Sequence, residues 1–196
     1  SQSQTLDVAR SVSKGAMNKS NLAESKLVIA EETQILNDWQ QHHTFSDKFR
    51  VSPDCLAPPD PSWAARKLSE THVETLMHSF RETGKCNKGM IGAVANDDVH
   101  SKWMEAVSEG PMTPDAKQKF IEDHVVNDPN LSIQVVSGDH SREAMSRLHK
   151  AKPNAKPWKT VKLELIITPV TAQACDYLRI IGVRENLSAE CHLKHS

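Results

Sequence analysis

Apolar residues along the chain fall into short blocks whose spacing switches between that of a helix and that of a strand. Val73, Leu76, Met77 and Phe80 stand at i, i+3, i+4 and i+7, one face of a helix. Ser69 is placed to cap that helix and Gly84 to end it. SIQVV (132–136) alternates and is β-branched, and VKLELII (161–167) alternates more clearly, so both predict strands. GMIGAVA (89–95) predicts a third, shorter strand. Residues 140–149 predict a helix, KPNAKP (152–157) a loop, and 171–184 a last helix with Ala174, Leu178 and Ile181 as its apolar stripe. LVIAEETQILNDW (27–39) predicts a helix docked on the body. Short strands alternating with helices predict a small mixed α+β domain, and no internal repeat is visible.

The polar remainder sets the organisation. Residues 1–24, rich in Ser, Gln, Asn and Lys, are expected to order poorly alone. Residues 52–62 hold four of the ten prolines and must be extended or turning. Residues 97–130 are polar, with helical pieces at 101–108 and 114–125, and read as an insertion or lid. The expected layout is an N-terminal extension (1–48), a domain (49–190) with its insertion at about 97–130, and a tail (191–196).

Composition narrows the classes. At 196 residues the chain can bury one ordinary core. Lys and Arg total 24 against 25 Asp and Glu, so no global basic field exists and any DNA contact needs a local patch. No apolar run approaches the ~18 residues of a membrane span, and the N-terminus lacks a secretory pattern. Cys55, Cys86, Cys175 and Cys191 show no repeated CxxC spacing and read as reduced thiols, as in a cytoplasmic or nuclear, intracellular protein.

One corner carries more chemistry than a turn requires. SGDHSREA (137–144) joins a predicted strand to a predicted helix and crowds Asp139, His140, Ser141, Arg142 and Glu143 behind Gly138. A strand ending in Gly before a helix is an anion site, because backbone N–H groups and the helix dipole both face the ligand. Arg142, expected to be exposed one turn into the helix, could add a charge-assisted bond. The plain alternative is a helix capped by Asp139 or Ser141 with Arg142 solvated.

Three stretches carry a family resemblance. PSWAARKLSETHVETLMHSFRETG resembles the opening of the ParB N-terminal domain, VVSGDHSREAMSRL its second motif, and DYLRIIGVRENLSAE its third. The order spans about residues 49–190, and the superfamily includes sulfiredoxin. The resemblance implies a ParB/sulfiredoxin-like fold: a small mixed sheet with packed helices, an N-terminal extension and a helical insertion. It implies that Arg66, Gly138, Ser141, Arg142 and Asn186 bind a nucleoside triphosphate (CTP or ATP) with Mg²⁺. Glu185 would hold the metal, and Asp139, His140 and Glu185 would serve hydrolysis. His140 and Ser141 stand where that family has two arginines, and Ala189 stands where it has a third. The reactive cysteine of sulfiredoxin falls at His140, which excludes sulfinic-acid reduction.

These readings imply a nucleotide-binding domain, a CTPase- or ATPase-like hydrolase in a DNA-associated process, with a homodimer as partner state. A helix-turn-helix module would follow in that family, so operator binding by it is expected to be absent or to belong to a longer protein. One alternative is a degenerate interaction or DNA-associated module. The other is a nuclease or phosphotransferase using His140 as general acid or base. Minor candidates are Cys191-His192-x-x-His195 and Asp97-Asp98 as metal ligands, and His42-His43 as solvated groups.

Overall fold

The computed structural model describes residues 21–39, 48–64 and 66–194, with side chains to Glu185. The chain divides into two units, Ser1–His42 and His43–Ser196. In the first, α1 covers 21–39. It begins well ahead of the expected Leu27, and residues 21–24, expected to order poorly, are helical. Residues 1–20 and the His42-His43 pair lie outside the described residues.

The second unit is built on a five-stranded mixed sheet. In chain order its elements are β1 (Lys48–Val51), a 3₁₀ turn (Pro53–Cys55), β2 (Leu56–Ala57), α2 (Glu70–Thr83), β3 (Ile91–Ala95), α3 (Asp97–Ser108), α4 (Pro114–Ile121), a π-helical turn (Glu122–Val126), β4 (Ile133–Ser137), α5 (Asp139–Ala151), α6 (Lys156–Lys159), β5 (Val161–Thr168) and α7 (Ala172–Lys194). The strand order is β1-β5-β3-β4-β2. β3 runs parallel to β5 and antiparallel to β4, and β1 and β2 form the edges. The α+β class and the shared sheet of β4 and β5 stand as the hydrophobic pattern predicts.

Alternation decides what each strand buries. Val161, Leu163, Leu165 and Ile167 of β5 enter the core, joined by Val73, Leu76 and Phe80 of α2 and Ala144, Met145 and Leu148 of α5. Helices α2 and α5 pack on one another, and α7 lies along β4 with Ala174, Leu178 and Ile181 buried. Ser69 caps α2 through its hydroxyl, and Gly84 closes it in the left-handed region at φ 67°.

Residues 97–130, expected to form an insertion or lid, contribute several apolar side chains to the core. α3 starts at Asp97, capped by Asn96, and buries Val99 and Trp103; α4 and the π turn bury Phe120, Ile121 and Val125. Trp103 and Phe120 meet edge-on with centroids 5.1 Å apart. These apolar positions are sparse among charges, so a polarity count hides a core-facing stripe. α4 also covers the sheet edge. The Gln118 amide accepts from the Arg50 N–H (3.2 Å) and donates to the Arg50 carbonyl (2.9 Å), as a neighbouring strand would.

Candidate functional site

β4 delivers the chain to Gly138, which adopts φ 95° and opens α5. A Cβ there would lie 2.7 Å from Met90 Cγ and 3.1 Å from the Gly89 carbonyl oxygen, so both backbone angle and space require glycine. No side chain caps α5. Ser69, Asn96, Thr113 and Thr171 cap α2, α3, α4 and α7 in the usual way. The capping expected of Asp139 or Ser141 is therefore replaced by glycine. Arg142 N–H already bonds the Gly138 carbonyl (2.9 Å), while the amides of Asp139, His140 and Ser141 precede any intrahelical acceptor.

Arg142 departs most from expectation. Its side chain is 8% exposed, its Nε donates to Asp139 Oδ1 at 2.6 Å, and its Nη2 lies 3.3 Å from Glu143 Oε2. The guanidinium is turned inward and neutralised by carboxylates of its own helix, because Asp139 is the i−3 neighbour. Glu143 passes the chain of charges to Arg147 Nε (3.0 Å), and Arg147 grips Glu70 at the start of α2 with both terminal nitrogens. That contact lowers the Glu70 carboxyl below its ordinary range.

Two of the distant sequence stretches meet here. The Ser69 N–H donates to His140 Nε2 at 2.9 Å, and the His72 ring stands edge-on to His140 with centroids 4.7 Å apart. Burial depresses the His140 pKa below the ordinary histidine value; the neighbouring His72 and Arg66 push the same way and Asp139 opposes them. Arg66, exposed, thus lies within electrostatic reach of the corner. Ser141 is buried.

The third stretch approaches from α7. A Cβ on Gly182 would stand 3.0 Å from the Val136 carbonyl oxygen, which brings that turn of α7 beside the end of β4. Glu185 follows three residues later and is exposed. The Asn186 side chain lies outside the described residues, as do those of Cys191, His192 and His195. Among the described residues no three His, Cys, Asp or Glu side chains gather to hold a metal. Asp97 instead accepts from the Val170 N–H (2.9 Å), and Asp98 pairs with Lys102 (2.9 Å). A cavity of about 380 Å³ between α3 and the loop after the π turn shares no residue with the corner.

Sequence reasoning overlooked Ser69 as a backbone donor, His72 as the ring against His140, and Glu143 as a partner of Arg142. Proximity of the first two stretches was the one signal that could have found His72, which sits with Arg66 in the first of them.

No family model matches the sequence, and no curated protein matches it. Among solved structures the chain is similar to the C-terminally truncated chromosome-partitioning protein ParB from Caulobacter crescentus, complexed with CTP-gamma-S. The identity is 15% and the TM-score 0.39, over 73% of this chain and 54% of that one, so this chain spans about half of that protein's length. A likeness of that size does not reach ligand or activity, which must be read from the corner's own groups.

Proposed function

We propose that the Gly138 corner binds the phosphate groups of a nucleotide. The observation that carries this reading is the start of α5: a glycine favoured by both backbone angle and space opens it, and among the described residues no side-chain cap takes its first amides. Such a terminus favours an anion through its N–H groups and its dipole. Arg66, within electrostatic reach of the corner, supplies positive charge at its margin. Arg142 supports the site indirectly, by neutralising Asp139, whose carboxylate would otherwise repel phosphate. Mg²⁺ would ride on the phosphate oxygens with Glu185 as its protein carboxylate, since this ion needs few such ligands. Of the groups hydrolysis would use, Asp139 is committed to Arg142 and the His140 Nε2 lone pair to Ser69. The corner therefore supports binding ahead of turnover.

Calorimetric titration with CTP and then ATP, each with Mg²⁺, tests this in the wild type and in Arg66→Ala. A charge-assisted contact contributes about 1.5–3 kcal/mol, so Arg66→Ala should weaken binding by roughly tenfold to a hundredfold. The melting temperature should hardly move, because Arg66 is exposed. Equal affinities in both proteins would remove the phosphate site.

The second reading, an interaction module without nucleotide, draws on Arg142. Its guanidinium is already satisfied inside the fold and is not offered to a ligand. Absence of binding by the wild type would hand the corner to this reading.

A further inference from the structure

The contact between Ser69 and His140 is one-way in its chemistry. A backbone N–H can only donate, so the ring nitrogen it meets must carry a lone pair. With Nε2 accepting at 2.9 Å, a neutral His140 holds its proton on Nδ1. Protonation would put an N–H where the acceptor was, facing another N–H. We propose that His140 is a proton-operated latch: neutral, it holds the start of α2 on α5, and protonated, it lets that end of α2 go.

The surroundings bias the latch toward the neutral, closed form near pH 7. The charged and titratable groups facing His140 are Asp139 on its own helix, His72 on α2 and Arg66 ahead of α2. Desolvation, His72 and Arg66 disfavour the imidazolium, and Asp139 favours it. A group whose folded pKa lies below its unfolded value binds fewer protons when folded. Its contribution to stability is present above the unfolded value and is lost as pH falls through the folded one. The latch therefore opens on the acid side of an ordinary histidine.

A second clamp holds the same end of α2 by different chemistry. Arg147 grips Glu70, the residue after Ser69, and Glu70 stays ionised to lower pH than a free glutamate. Acid release then has two stages. His140 lets Ser69 go first, while Glu70 still anchors the helix; protonation of Glu70 frees it at lower pH. The order follows from histidine and carboxylate ranges and needs no bound ligand, so the latch stands or falls apart from the phosphate reading.

Nuclear magnetic resonance on the whole chain tests it, with ring nitrogens of His140 and the backbone amide of Ser69 followed from pH 8 to pH 4. The expected result is an Nδ1–H tautomer at neutral pH. The Ser69 amide proton should shift upfield, and its exchange protection vanish, with the midpoint of the His140 titration. His72→Gln should raise that midpoint, because a like charge is removed, and keep the step. His140→Gln should abolish the step. An Nε2–H tautomer, a Ser69 amide that ignores the His140 titration, or a step that survives in His140→Gln would each overturn the latch. The wild-type measurements decide by themselves if a variant does not fold.

Discussion

Arg142 and Asp139 form a 2.6 Å ion pair within one turn of α5, with 8% and 20% of their side chains exposed. The arginine that looked poised for a ligand is spent inside the protein. Arg142→Ala should then destabilise by about 2–3 kcal/mol, because it strands the Asp139 and Glu143 carboxylates in a partly desolvated place. A solvated helix-start arginine would cost almost nothing. Urea midpoints at constant m-value separate the two. Asp139→Asn added to Arg142→Met should recover part of the loss, since it removes the stranded charge.

The two left-handed glycines that end or open helices should differ sharply. A Cβ on Gly84 meets nothing within 4 Å, so Gly84→Ala carries only the backbone strain, about 1 kcal/mol. Gly138→Ala adds a clash with Met90 and the Gly89 carbonyl and should cost roughly 2–4 kcal/mol. Thermal unfolding of both variants gives the comparison. Equal losses would mean that Met90 yields freely.

Gln118 substitutes for a missing strand beside Arg50. Gln118→Ala leaves an edge N–H and C=O unclaimed and should cost about 1–2 kcal/mol. The Arg50 amide should exchange faster in that variant. Gln118→Glu should be no better, since it keeps an acceptor for the N–H but aims a carboxylate at the carbonyl and at Glu122.

Legibility in the sequence follows how local each cause is. α2 was readable because cap, apolar stripe and terminal glycine all act within one segment. Edge strands β1 and β2 were not: KFRV and LA are too short to show a period, and proline surrounds the second. At the site, Gly138 announced the break between strand and helix. Arg142 did not announce its burial, because Asp and Arg three apart look alike in a solvated pair and a buried one. Ser69 and His140 are 71 residues apart, and no local pattern carries such a pairing.

Gly182 sets a general rule against a particular contact. Glycine inside a helix normally costs about 1 kcal/mol relative to alanine, so Gly182→Ala should stabilise α7 if propensity alone decided. Here the new Cβ would stand 3.0 Å from the Val136 carbonyl oxygen and 3.6 Å from Val136 Cγ1. That oxygen is backbone, so it cannot swing away as a side-chain end would, although Val136 stands at the bulge where β4 slips register against β3. To admit the methyl, α7 must lift from the sheet and loosen Ala174, Leu178 and Ile181. The packing loss should outweigh the propensity gain, making Gly182→Ala neutral to about 1 kcal/mol destabilising. Gly182→Val, with two more carbons and a poorer helix former, should lose about 2–3 kcal/mol. Urea denaturation of the pair checks the sign. A stabilised Gly182→Ala would show that α7 can stand off from β4.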